Sequence, residues 1–131
     1  MRKKLLIFGT GGGAELAYKK ILKKDDIDVC GFVEFKRFVK KNFFLKLPVI
    51  KFENLNKNHA QNYLMFIHKN FNNLNEDRTN IYKLLKNKNF KFYSYIDPTL
   101  EINFKYGENC FILGSQSICD DVKIGNNVVM W

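Results

Sequence analysis

The stretch FGTGGGAELA holds Gly9-x-Gly11-x-x-Ala14, a glycine spacing that lets a backbone turn close against a pyrophosphate. Glycine removes the side chains that would keep the anion at a distance. A helix opening near Gly12 would then aim unpaired N–H groups and a partial positive charge at the same place. Each such dipole contribution is worth about 0.3–1 kcal/mol, so several must converge to hold an anion well. Glu34, at the end of the next apolar run, is placed to accept hydrogen bonds from ribose or sugar hydroxyls. On these residues alone the reading is a dinucleotide site, in a nicotinamide-dependent oxidoreductase or an NAD sensor, set against a glycine turn that serves only close helix and strand packing.

No catalytic set accompanies the turn. His59 and His68 are the only histidines, and neither has a cysteine or carboxylate at triad or metal-ligand spacing, so no metal is expected. His59 is expected on a surface helix. His68 ends an apolar run on the same rim as the glycine turn, where it either touches ligand or merely closes the strand. Arg78, in the first turn of a following helix, is in reach of either a phosphate or the carboxylates of Glu76 and Asp77.

These residues need strands and helices to bring them together. KLLIFG reads as a strand, followed by a tight turn and a helix over AELAYKKILKK on which Leu16, Ile21 and Leu22 share a face. IDVCGFVEF gives a second strand from Ile27 to about Phe35, and KRFVKKNFFLK, which has no clean period, a surface loop. Pro48–Ile50 is a brief third strand, FENLNKNHAQN a weak helix, and YLMFIHK a fourth strand. A helix over NEDRTNIYKLLKNKNF follows, capped by Asn75 and facing the core with Ile81, Leu84 and Leu85. FKFYSYID closes the series as a fifth strand. Alternating strand and helix favour an α/β parallel sheet with helices on its faces, whose ligands sit at the carboxyl ends of the strands.

After Pro98 the period changes. Leu100, Tyr106, Ile112, Ile118, Ile124 and Met130 recur every six residues, and Phe104, Cys110, Gln116, Val122 and Val128 form a second register with the same interval. Such a hexapeptide pattern makes one short strand per unit and turns a triangular coil with the apolar residue inward. The closing VKIGNNVVMW reads like the inside of such a repeat, so the chain is expected to be the amino-terminal portion of a longer solenoid. Two regions result, residues 1–97 and 98–131.

Of the 131 residues 46% are hydrophobic, enough for a real core, and no apolar run approaches the roughly 18 residues of a membrane span. A cytoplasmic protein with no membrane insertion is the expectation. The apolar part of MRKKLLIFGTGGGA ends at Phe8, too soon for a signal peptide. Three cysteines, Cys30, Cys110 and Cys119, suit buried thiols better than a disulfide framework. A net charge of +9 would suit nucleic acid, but the lysines are scattered and no aromatic platform is set in a basic groove. A nucleotide diphosphate is served by the same field, and nucleic acid is not expected as a partner.

LLIFGTGGGAELAYKKI, LPVIKFENL, NNLNEDRTNIYKLLKNKNFKFYSYIDPTLEI and VKIGNNVVMW, taken in order, resemble the sugar acetyltransferases of the sialic-acid O-acetyltransferase and bacillosamine N-acetyltransferase group. The resemblance implies a Rossmann-like nucleotide-sugar domain followed by the first coils of a left-handed parallel β-helix. It implies acetyl transfer from acetyl-CoA to a UDP- or CMP-activated sugar for surface glycan biosynthesis, in a homotrimer. Under it the nucleotide-sugar lies along Gly9, Thr10, Gly11, Gly12 and Gly13, with Glu34 as the acidic residue, and His68 and Arg78 as further candidates. Many relatives carry Asp at the Glu34 position and His or Phe at the Gly13 position, which leaves sugar and base open. The resemblance also puts the general-base histidine beyond Trp131, so these residues alone are expected to be catalytically incomplete.

Overall fold

Four consecutive apolar residues with no polar face, Leu5 to Phe8, suit a strand covered on both sides, and all four are at most 1% exposed. The computed structural model describes residues 2–68 and 75–131. Lys69, at the end of the expected fourth strand, and Asn72 to Leu74, within the quoted resemblance, lie outside the described residues. The chain divides into two compact units, one up to Lys91 and one over Phe92–Trp131.

Up to this division the elements are β1 (Lys3–Phe8), α1 (Gly12–Ile21), β2 (Ile27–Glu34), β3 (Phe43–Phe44), β4 (Leu47–Lys51), α2 (Lys57–Asn62), β5 (Leu64–Ile67) and α3 (Glu76–Asn87), with β6 (Lys91–Phe92) at it. The sheet runs β3-β4-β2-β1-β5-β6. β1 lies between β2 and β5 and is parallel to both, and β2 is parallel to β4. The strand order reverses at β1, so the turn after Phe8 stands where parallel sheets leave a crevice.

α1 buries Ala14, Ala17 and Ile21. The expected face is shifted: Leu22 is the C-cap residue, one step round from the buried Ile21, and is 57% exposed. In α3 the buried residues are Arg78, Ile81 and Leu85, and Leu84 is turned outward. Asn75 stands at the N-cap of α3, but at φ +74 its side chain makes no capping bond; its carbonyl accepts from the Thr79 N–H and hydroxyl instead. α2 is the better capped helix, since Asn56 and His59 exchange bonds in a capping box, with the His59 Nδ1 accepting the Asn56 N–H at 3.1 Å.

The stretch expected to be a loop after β2 contains structure. Phe43–Phe44 pairs antiparallel with Leu47–Pro48 through Leu45 and Lys46, both at positive φ, and a 3-10 turn occupies Lys36–Phe38. The register of β1 on β2 slips between Leu5 and Leu6, which sets Cys30 out of the ladder. Cys30 is accordingly half-buried, Cys119 exposed, and only Cys110 fully buried, so the expectation of buried thiols holds for one of the three.

The last predicted strand is two short ones, β6 and β7 (Tyr95–Ile96), interrupted at Tyr93 and Ser94. β7 belongs to the second unit, with β8 (Lys105–Tyr106), β9 (Phe111–Ile112), β10 (Lys123–Ile124) and β11 (Val129–Met130). All pair in parallel: Lys105 lies opposite Lys123 and Phe111 opposite Val129, each 18 residues on, while Tyr95 lies opposite Phe111, 16 residues on. Asn109, Ser115, Asp121 and Asn127, spaced six apart, have φ of 56°, 62°, 65° and 63°. A left-handed residue turns the chain three residues after each of β8, β9 and β10, at Asn109, Ser115 and Asn127, and Asp121 makes a further bend before β10. The interior is Ile96, Phe104, Cys110 and Ile112, with Leu100, Ile118, Ile124, Val128 and Met130 packed on it. Tyr106 and Val122 leave the predicted pattern, being 41% and 36% exposed.

Two corners are joined inside: Asn109 is fully buried, and its amide Nδ2 donates to Asn127 Oδ1 at 2.8 Å. Asn109→Ala should cost roughly 2–4 kcal/mol, combining a buried amide left short of a partner with Ala in a left-handed conformation. Asn109→Gly keeps the conformation and should cost less. Urea denaturation of the two variants checks this, and equal losses would show that the backbone term is absent.

Candidate functional site

At the carboxyl ends of β1, β2 and β5 lies a cleft of about 820 Å³, within the range for small-molecule sites. Its floor is Gly9, Thr10, Gly11, Glu34 and His68; one wall is the segment from Phe35 to Phe44, and the other is Asp77, Asn80, Ile81 and Leu84 of α3.

The floor is built by the glycine turn. Gly9 has φ +128, and a Cβ there would stand 2.4 Å from the carbonyl oxygen of His68, so conformation and space both demand glycine. Its N–H donates to Val33 O at 2.8 Å, and the His68 N–H donates to Phe8 O at 3.0 Å, which ties the turn to both neighbouring strands. α1 begins at Gly12, after an extended Gly11, and its first turn directs N–H groups without intrahelical partners outward.

Glu34 is 3% exposed. One carboxylate oxygen accepts the Phe35 N–H at 3.0 Å, and the other accepts the Thr10 hydroxyl at 3.2 Å, across the cleft floor. Thr10 and Glu34, from two different strand ends, therefore form one acceptor and hydroxyl group suited to a polyol.

Gly9, Thr10, Gly11, Glu34 and His68 are thus brought together. Gly12, Gly13 and Arg78 stand outside the lining. Gly13 faces the His68 imidazole, and Arg78, fully buried, donates from Nε to Ile67 O at 3.0 Å. Of the two acidic neighbours weighed for Arg78, Asp77 lines the cleft itself. His68 is 3% exposed; burial first, and the Arg78 guanidinium second, lower its pKa from 6.5 to about 4. Near neutral pH the ring is uncharged.

Sequence reading missed the wall from Phe35 to Phe44. Arg37 stacks over the rings of Phe35 at 5.0 Å and Phe38 at 4.8 Å, and Lys40 and Lys41 join it along the cleft. The wall is anchored where the Lys36 N–H donates to Glu53 at 3.0 Å, the main reason the Glu53 carboxyl is held below its ordinary pKa. Interleaved cations and aromatics immediately after a strand that ends on the ligand edge were the available signal. Cations beside a flat aromatic surface suit an anion attached to a planar ring.

No family model matches the sequence, and no curated protein matches it. Two solved structures do. A histidine-to-asparagine mutant of perosamine N-acetyltransferase from Caulobacter crescentus, described in complex with CoA and GDP-perosamine, is similar with TM-score 0.78 and 18% identity over 96% of this chain and 59% of that one. PerB from the same organism, with the same two ligands, is similar with TM-score 0.74 and 19% identity over 97% of this chain and 62% of the other. The likeness shows the fold, mixed α/β with parallel sheets, and this chain spans about three-fifths of the length of those proteins.

The depressed His68 pKa fixes a pH dependence. The unfolded chain takes up the proton near pH 6.5 and the folded one only near pH 4, so His68 stabilises fully above 6.5 and loses that contribution as pH falls to about 4. The whole effect is worth roughly 3 kcal/mol. His68→Gln should flatten the decline in Tm between pH 7 and pH 4.5; an unchanged slope would show that the ring is not buried neutral.

Proposed function

We propose that this chain is the nucleotide-sugar-binding part of an acetyltransferase that moves acetyl from acetyl-CoA to a nucleotide-activated sugar, within the biosynthesis of a surface glycan. The observation that carries the reading is the combination of two units in one chain. A mostly parallel sheet with a glycine-turn cleft precedes short parallel strands with bends six residues apart, and 96% of the chain is similar in fold to an acetyltransferase described with CoA and GDP-perosamine. The resemblance noted in the sequence points to the same pairing of a nucleotide-sugar domain with a left-handed β-helix.

In this reading the diphosphate lies over the first turn of α1, where helix N–H groups and the cations Arg37, Lys40 and Lys41 act on it together. Ribose or sugar hydroxyls meet Thr10 and Glu34, and the base lies against the aromatic wall. UDP- and CMP-sugars were the bases expected from the sequence; GDP joins them because the similar structures hold GDP-perosamine. Acetyl transfer needs a general base within hydrogen-bond reach of the acceptor proton. His59 caps α2 and His68 is packed under the glycine turn, both in the first unit. We assign the base to a histidine outside these residues, in a homotrimer of the whole protein. A second reading, an NAD-binding oxidoreductase or sensor domain, draws on the same turn and on Glu34.

Thermal shift against UDP-, CMP- and GDP-sugars and NAD separates the two readings. A sugar nucleotide at about 100 times its Kd should add about 2.7 kcal/mol of stability, and Glu34→Gln should weaken its binding roughly tenfold or more. A response to NAD alone would reject the acetyltransferase reading. Incubated with acetyl-CoA and amino sugars, the 131 residues should release no free CoA, and measured turnover would place the base within them.

A further inference from the structure

Gly9 and Gly13 stand at the two ends of the turn, yet they are glycines for different reasons. Gly9 is required by its own backbone, at φ +128. Gly13 is an ordinary helical residue, and a side chain there would meet one neighbour: its Cβ would lie 3.0 Å from both Cε1 and Nδ1 of the His68 ring. The carbonyl of the same His68 is what a Cβ at Gly9 would strike. One residue at the end of β5 thus sets the space at both ends of the turn, with its peptide at Gly9 and its imidazole at Gly13. The ring is held in place, edge to face with Phe66 at 6.5 Å between centroids, and is buried while forming part of the cleft floor.

We propose that His68 is the positioning residue of the ligand cleft: its imidazole, seated on Gly13, fixes the path of the Gly9–Gly13 turn and the depth of the floor, and positions 13 and 68 together accept one large side chain. This rests on the nucleotide-sugar reading for the identity of the ligand, but the steric pairing does not depend on it. A tight helix start against the ring holds the first-turn N–H groups at a set distance from the floor, and an emptied ring site lets that turn settle. The loss is then one of ligand geometry as well as stability.

The test is a four-variant cycle on the full chain, reading Tm without ligand and Kd for UDP, CMP and GDP by calorimetry well below Tm. Gly13→Ala should lower Tm while His68 is present and raise it in the His68→Ala background, since alanine is the better helix former once the ring is gone. His68→Ala should weaken binding of whichever nucleotide the wild type takes by tenfold or more at a temperature where the variant is folded. Gly13→His combined with His68→Gly, which delivers an imidazole to the same space from α1, should bring Kd back to within about threefold of wild type. Additive Tm changes would overturn the pairing. Full affinity in folded His68→Ala, or none regained in the swap, would overturn the positioning role. If the wild type binds none of the three nucleotides the ligand reading falls, and the sign of the Gly13→Ala effect in the two backgrounds decides the pairing by itself.

Discussion

The close passage of the β1–α1 turn over the backbone of His68 is the contact on which the first unit is organised. A Cβ at Gly9 would sit 2.4 Å from that carbonyl, so no other residue allows the strand end and the helix start to meet in this way. The ladder bonds from Gly9 to Val33 and from His68 to Phe8 hold three strand ends level with each other. Thr10 and Glu34 face one another because their strands are kept in that register, and α1 starts where its N–H groups overlook the same floor.

Much of this was legible in the residues. The glycine spacing, the alternation of apolar runs with helical ones, and the acidic residue ending the second run are local signals written in consecutive residues. What was lost depended on distant partners. Leu84 shares a helical face with Ile81 by spacing, but the sheet takes Arg78 in its place, a burial that hydrophobicity cannot forecast because the cation is accommodated by a main-chain carbonyl. The segment after β2 has no period, since its aromatic rings pack on Arg37 and on one another in place of a uniform face. Asn75 has the right type for a cap, yet its left-handed backbone aims the side chain elsewhere.

A six-residue spacing is written twice in the second unit. The apolar register marks what points inward, and a second register, unnoticed as sequence, marks where the backbone turns: Asn109, Ser115, Asp121 and Asn127. Asparagine and aspartate tolerate positive φ through short polar side chains, which is why polar residues can alternate with apolar ones here without forming simple strands. Two of the four also bond to each other, so the same residue type serves conformation and cohesion.

The four corners are not equivalent. Ser115 and Asp121 are exposed, whereas Asn109 and Asn127 are buried and joined across one turn. Extra residues spliced in at either exposed bend would bulge into water and leave the strands above and below in register, because a stacked array depends only on adjacent rungs. At the buried bends the same splice would separate two amides that face each other. Variation in length among proteins built this way should therefore gather at the bends marked by Ser115 and Asp121, which are free to acquire new loops, while the edge on which Asn109 and Asn127 stack stays fixed.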